Sequence, residues 1–214
     1  MSEARSFTIV GGGHSGLQLA CGLVDAGHKV RVVQNRTAEE IAKGPVLSSQ
    51  SMFHLARQYE RDLGLNYWEN EAPPIQSIHF SVRGDDGGKV IDWNGKFDPD
   101  KVAHSVDQRV KFPRWMSEFQ KKGGEIVIKE VGIEDLEAYT KESGLVIVAA
   151  GKGDIAKLFE RDPSRSLFDK PQRAMALTYV KGMAPRPDHT AINFNVIPGQ
   201  LLMINVHKDV LVWQ

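Results

Sequence analysis

The stretch that most limits the fold is IVGGGHSG at residues 9–16, between the short apolar run Phe7–Val10 and a helical pattern from about His14 to Ala26. Its glycines Gly11, Gly13 and Gly16 stand in the spacing G-x-G-x-x-G. Between a strand and a helix, the first glycine permits a tight turn and the second lets backbone approach a pyrophosphate. The third lets helix and strand pack closely. The open N–H groups and positive end of the helix then favour phosphate by about 1 kcal/mol. Gly27 is a helix stop, and Lys29–Gln34 follows at once as a second strand. The chain thus opens as a βαβ unit for a dinucleotide. His14 and Ser15 fall inside the loop and count among its cofactor-binding candidates, although for His14 the plainer reading is an exposed loop filler.

Such units carry Asp or Glu at the end of the second strand to hold the adenosine ribose. Here that place reads Gln34, Asn35 and Arg36. Arg36 without a neighbouring acid suits the 2′-phosphate of NADP. Two features favour FAD instead: an early hairpin pattern, and the late run LVIVAAGKG at 145–153, a strand that ends in Ala150, Gly151 and Lys152. Many FAD enzymes return to their cofactor through such a strand.

The rest of the chain fits an α/β protein with a second sheet. Residues 37–65 read as helical with a break at Gly44-Pro45. Gln76–Arg83 and Lys89–Trp93 form a hairpin around Gly84-Asp85-Asp86-Gly87-Gly88. A helix over about 105–122, interrupted near Pro113, precedes the strand Glu125–Ile128; a helix over about 133–141 precedes Leu145–Ala149. Four strand patterns follow: Ala174–Val180, Ala191–Ile197, Gln200–His207 and Val210–Trp213. The expected organisation is a Rossmann-like FAD-binding part (1–72), a β-hairpin excursion toward a substrate domain (73–104), a return to the FAD-binding domain (105–170) and the start of an antiparallel substrate sheet (171–214), left incomplete at its end.

Among the 214 residues, 27 Lys and Arg balance 27 Asp and Glu, so charge gives no reason to expect a nucleic acid or membrane partner. The single cysteine, Cys21, excludes an internal disulfide and reads as core of the first helix. With no signal peptide or spanning segment in the pattern, a cytoplasmic location is expected. No metal-ligand spacing stands out.

At several places the residues resemble the FAD-dependent styrene and indole monooxygenases, the oxygenase halves of two-component systems. The resemblance rests on IVGGGHSGLQL, the acid-free strand end before Arg36, SVDQR at 105–109, LVIVAAGKG, and above all FDKPQRAMALTYVKGM at 168–183. It implies a flavoprotein-hydroxylase-like fold, with Gln34, Asn35 and Arg36 at the ribose, Arg109 near the cofactor and Lys152 toward a phosphate. It also implies a substrate pocket at Ser48, Gln50, Met52, Ile75, Ile78 and Ala103. These six side with the indole-preferring branch, although without the family they read as an ordinary loop and core.

The resemblance further implies that a separate NADH-dependent flavin reductase supplies reduced FAD, which reacts with O2 to give a 4a-hydroperoxyflavin. The distal oxygen would pass to the double bond of a small aromatic substrate, by epoxidation of the indole 2,3 bond or of styrene. No catalytic residue is then expected beyond those that bind and orient, because the chemistry belongs to the cofactor. Family members are considerably longer, so this chain looks like their N-terminal half. Two alternatives stay open: a non-catalytic or truncated FAD-binding module, and an NADP-dependent oxidoreductase. A homodimer is among the states the sequence leaves open.

Overall fold

A computed structural model describes residues 4–46, 51–151, 154–158, 160–170, 178–180, 189–197, 200–206 and 211–213. They fall into two units, one drawn from 1–44 and 108–172, the other from 45–107 and 173–214. Residues 45–72 therefore cluster with the second unit and not with the Rossmann-like part, where the sequence had placed them.

The first unit is built on a parallel sheet ordered β5-β2-β1-β6, from β1 (Ser6–Val10), β2 (Lys29–Gln34), β5 (Glu125–Ile128) and β6 (Leu145–Val148). Its central strands bury their apolar carboxyl-terminal halves; Ile9, Val32 and Val33 are fully buried. Helix α1 (His14–Asp25) places Gly16, Leu17, Ala20 and Cys21 on its buried face, which is a helical spacing. Burial raises the Cys21 thiol to about 11, against the opposing charge of Lys122, so it sits in the core as an unreactive small residue.

The helix ends at Gly27, whose φ of 85° is open to glycine. Gly27 N–H donates to the Val24 carbonyl and His28 N–H to that of Leu23, at 2.9 and 3.1 Å, the paired bonds of a Schellman stop. Helix α2 (Ala38–Ala42) starts with a capping box between Thr37 and Glu40. Helix α3 (His54–Asp62) belongs to the second unit. The long helical pattern over 37–65 thus resolves into two short helices in different units.

Helix α4 (Gln108–Lys121) runs through Pro113 without interruption, contrary to the sequence expectation. A proline removes the donor for the carbonyl four residues earlier, here Arg109 in the first turn. The apolar positions Phe112, Trp115, Met116 and Phe119 are all buried and hold the helix in place beyond that local cost. Helix α5 (Ile133–Glu142) leads into β6 and packs Tyr139 and Leu136 against Val10, Val33 and Val146.

The second unit carries a six-stranded sheet ordered β4-β3-β8-β9-β10-β7. Its strands are β3 (Ser77–Arg83), β4 (Lys89–Lys96), β7 (Thr178–Val180), β8 (Ala191–Ile197), β9 (Gln200–Val206) and β10 (Leu211–Trp213). The β3–β4 hairpin and the β8–β9–β10–β7 run are antiparallel, but β3 and β8 pair in parallel. The sheet is therefore mixed, not purely antiparallel. More than ninety residues separate β3 from β8, so no tight turn forces their directions to oppose. Among the described residues no helix is long and apolar enough to cross a membrane.

Candidate functional site

In the first unit the chain moves outward from β1 to β2 and β5, then returns to β6 on the other side of β1. In open parallel sheets ligands bind beyond the carboxyl ends of the strands at such a reversal. The ends that converge there are Gly11–Gly13 after β1, Gln34–Arg36 after β2 and Ala149–Gly151 after β6. Gly11 has a φ of 118° and donates its N–H to the Val33 carbonyl at 2.8 Å. A Cβ on Gly11 would lie 2.6 Å from the Ala149 carbonyl oxygen, and one on Gly16 1.9 Å from that of Gly11. The first and third glycines are thus fixed by protein–protein approach.

Gly13 differs. A Cβ there would meet nothing within 4 Å, and its φ of −80° and ψ of −170° are ordinary extended backbone. It is the N-cap of α1, with no side-chain cap and no acidic residue in the first turn. The start of α1 and the empty space above Gly13 form a cradle that a phosphate group fits and a side chain would fill. Gly151 is likewise open, exposed at the end of β6. The residues present therefore suit the pyrophosphate of a dinucleotide. Ser15 is exposed beside the cradle.

The acid-free strand end has a structural explanation. Gln34 is buried, and its Nε2 donates to the Arg36 carbonyl at 2.7 Å and to the Met116 sulfur at 3.3 Å. Its Oε1 occupies the space above Gly12, 1.5 Å from where a Cβ would stand. Gln34 is thus a plug over the glycine turn whose donors are already engaged, not a free ribose ligand. A side chain on Gly12 would therefore have to displace the Gln34 amide. Nothing in the G-x-G-x-x-G pattern marks this, because its cause lies more than twenty residues away on β2. Asn35 is exposed and Arg36 half-buried at the same strand end.

Restoring an acid there is expected to do harm. In Gln34→Glu a buried carboxylate would face the Arg36 carbonyl without a donor, a loss of about 3 kcal/mol at neutral pH. Its folded pKa would rise, so stability should recover as pH falls toward the ordinary Glu value near 4.3. Urea midpoints at pH 7 and 5 measure this, and a variant as stable as the parent at pH 7 would remove the plug role.

His14 is not an exposed filler. It is half-buried, and its ring meets Trp115 edge-on at 4.9 Å and Phe112 at 6.3 Å. Lys122 pairs with Asp25 at 2.8 Å at the far ends of α4 and α1, so the two helices run side by side in the same direction. The N-terminal turn of α4, with the half-buried Arg109, therefore lies at the glycine-turn end of the unit. Lys152 lies outside the described residues. Ala150 packs against the core around Val10 and Val33.

In the second unit, Ser48 and Gln50 lie outside the described residues. The other pocket candidates converge. Met52 and His104 exchange backbone bonds of 2.7 and 3.0 Å, and Ile75 and Ala103 exchange bonds of 2.7 and 3.0 Å. Ile75 and Ala103 are 1% and 0% exposed and cluster with Ile192, Phe97 and Phe194, so they are core side chains of this unit. Ile78, on β3, pairs with Ile192 and is half-buried. Among the described residues no group of three or more His, Cys, Asp or Glu is placed to hold a metal ion.

The family model described as "Styrene monooxygenase A putative substrate binding domain" matches residues 151–207. Over 198 residues the chain is 28% identical to a "Styrene monooxygenase StyA" of Pseudomonas fluorescens, covering 92% of this chain and 46% of the relative. The same identity and coverage hold for a "Styrene monooxygenase StyA" of a Pseudomonas species. Over most of its length the chain is thus similar to the styrene monooxygenases, and residues 151–207 match their substrate-binding domain model. The chain spans about half the length of the curated proteins it matches (46%).

Solved structures agree on the fold of this chain. The flavin-dependent halogenase CmlS superposes with a TM-score of 0.70 at 16% identity, covering 100% of this chain and 41% of its own. The myxobacterial chondrochloren halogenase CndH gives 0.63 at 14% identity, with 99% and 52% covered. The tetrameric form of 2-methyl-3-hydroxypyridine-5-carboxylic acid oxygenase gives 0.58 at 12% identity, with 99% and 58% covered. At these identities the likeness shows an α/β fold with a Rossmann-like sheet and a second sheet.

Proposed function

We propose that this styrene monooxygenase relative belongs to an FAD-dependent monooxygenase that uses O2 to oxidise small aryl alkenes, with indole its preferred substrate. The observation that carries the reading is the empty space over Gly13, at an uncapped helix start and at the reversal point of a parallel sheet. Relatedness to the styrene monooxygenases favours FAD as the occupant. Reduced FAD, delivered by a separate NADH-dependent reductase, supplies the electrons that activate dioxygen; one oxygen atom goes to the substrate double bond and the other leaves as water. What this chain contributes is binding, orientation and exclusion of water.

The α1 N-terminus and the N–H groups of the glycine turn hold the pyrophosphate. Arg36 and Asn35 flank the adenosine end, with Gln34 serving them as a support. Arg109 and Lys152 add positive charge for the phosphates. In the second unit Ser48, Gln50, Met52 and Ile78 contact the substrate, while Ile75 and Ala103 shape that wall from behind. Gln50 orients the substrate N–H, so Gln50→Leu should slow indole oxidation roughly tenfold to a hundredfold with FAD affinity nearly unchanged. Equal turnover in that variant would remove Gln50 from the mechanism.

The direct test supplies the full chain with FAD, NADH, an unrelated flavin reductase, air and indole. Blue product above a control lacking the chain, with slower epoxidation of styrene, is expected. FAD binding without oxygenation would instead identify a non-catalytic flavin module. NADPH binding tighter than FAD would point to Arg36 as a 2′-phosphate ligand and to a different oxidoreductase.

A further inference from the structure

The glycine turn that would hold FAD has a mechanical weakness. Gly11, Gly12 and Gly13 are consecutive, and a run of glycines loses more freedom on ordering than any other sequence. Helix α1 then begins without a capping side chain and without an acidic first turn, so the usual devices that pin a helix start are missing. Immediately after the glycines, the first residue of α1 makes the contact that replaces them. The His14 ring stands edge-on to Trp115, with centroids 4.9 Å apart and planes at 70°, and edge-on to Phe112 at 6.3 Å and 80°.

Both partners sit on the buried face of α4. Trp115 is fully buried, and Lys111, itself only 4% exposed, holds its Nζ 5.1 Å from the Trp115 ring centre. The platform against which His14 leans is therefore among the most fixed parts of the unit.

We propose that His14 is a positioning residue for the cofactor turn, its ring wedged against Trp115 and Phe112 so that α4 holds the start of α1 where a cap would otherwise fix it. The proposal rests on the FAD reading above. His14 acts here through the shape and edge of its ring, not as a donor to phosphate. The N–H groups of the turn are thereby arranged before the cofactor arrives, and ordering them adds less to the cost of binding.

The test is FAD affinity of the full chain, measured by flavin fluorescence titration, for the parent, His14→Ala, His14→Phe, Trp115→Leu and the double variant His14→Ala/Trp115→Leu. Circular dichroism and a cooperative urea transition check that each is folded. His14→Ala should raise the Kd about three- to tenfold, the scale of one aromatic pair. His14→Phe, which keeps the edge contact and abolishes any polar one, should bind within about twofold of the parent. The double variant should bind no more weakly than the weaker single one, because both remove the same contact.

An unchanged Kd in His14→Ala, whatever happens to its stability, overturns the proposal. So does a His14→Phe variant as weak as His14→Ala, which would make His14 a polar ligand. Trp115→Leu removes a core side chain; if it fails to fold, the two His14 variants decide alone. A parent chain that binds no FAD overturns the cofactor reading itself, an outcome distinct from these.

Discussion

Gly13→Val should fold like the parent and lose FAD. Its backbone angles, φ −80° and ψ −170°, lie where β-branched residues are at ease, and the added carbons meet no protein atom in the first 4 Å from the Cβ position. The local cost is that of a poor N-cap, about 1 kcal/mol. The same carbons fill the cradle at the helix start. A phosphate pushed off the turn loses at least two N–H bonds, each worth about 1.5–3 kcal/mol when the acceptor is charged, which weakens binding by roughly a hundredfold or more. Flavin titration beside a urea unfolding curve separates the two effects.

The neighbouring glycines supply the control. Gly11→Ala combines a φ of 118° with a carbonyl oxygen 2.6 Å from the new Cβ, and Gly16→Ala places its Cβ 1.9 Å from another. Those variants should fail in folding before binding can be measured. Should Gly13→Val bind FAD as the parent does, the cradle holds something else and the assignment of this turn falls.

The contrast among these glycines also marks what the sequence could disclose. The spacing of Gly11, Gly13 and Gly16 encodes local geometry, and local geometry repeats wherever a strand, a tight turn and a helix follow one another. Lys29–Gln34, Glu125–Ile128 and Ala191–Ile197 were legible to the residue for the same reason: each is a short run rich in Val, Ile or Phe. What stayed hidden depends on residues far apart in the chain. Gln34 looked like a ribose ligand because strand-end position predicts that role, but its amide had a nearer use over Gly12 and against Met116. His14 looked like a loop filler because Trp115 is about a hundred residues away. The parallel pairing of β3 with β8 leaves no mark in either strand. The pocket candidates Ile75, Ile78 and Ala103 were marked only by the resemblance, and the core placement of Ile75 and Ala103 comes from backbone exchange between two segments without regular pattern.

In the same unit a buried arginine ties α3 to the backbone just before Ala103, and Arg57→Ala is expected to lower stability by about 3 kcal/mol. Arg57, on α3, is 4% exposed. Its Nη1 donates to the Val102 carbonyl at 2.7 Å, just before Ala103, and its Nη2 to Glu69. Arg61 shares the same carboxylate, at 2.7 Å through Nη2. Burial pulls the Arg57 guanidinium below its ordinary value, with Glu69 opposing, yet a guanidinium remains charged. Burial pushes Glu69 upward, but hydrogen bonds from Arg61 and Asn66 and the charges of Arg57 and Arg61 outweigh it and hold its pKa below the ordinary value. The two directions are compatible: one carboxylate gains from two cations, while the more buried cation is desolvated and faces the like charge of Arg61, with Glu69 and Glu60 opposing.

The pH dependence follows from the depressed acid. Glu69 contributes stability above its unfolded value, near 4.3, and loses it as pH falls through its lower folded value. Removing Arg57 shrinks that contribution, so parent and variant should differ most near neutrality and converge as Glu69 protonates. Arg57→Lys should fall between them, because one ammonium cannot span Val102 and Glu69 with the fixed fork of a guanidinium. Urea unfolding of all three at pH 7 and at the lowest pH where the parent stays folded reads both effects. A gap between parent and Arg57→Ala that is as wide in acid as at neutrality would mean that Arg57 stabilises this junction by packing and by its bond to Val102, with the carboxylate incidental.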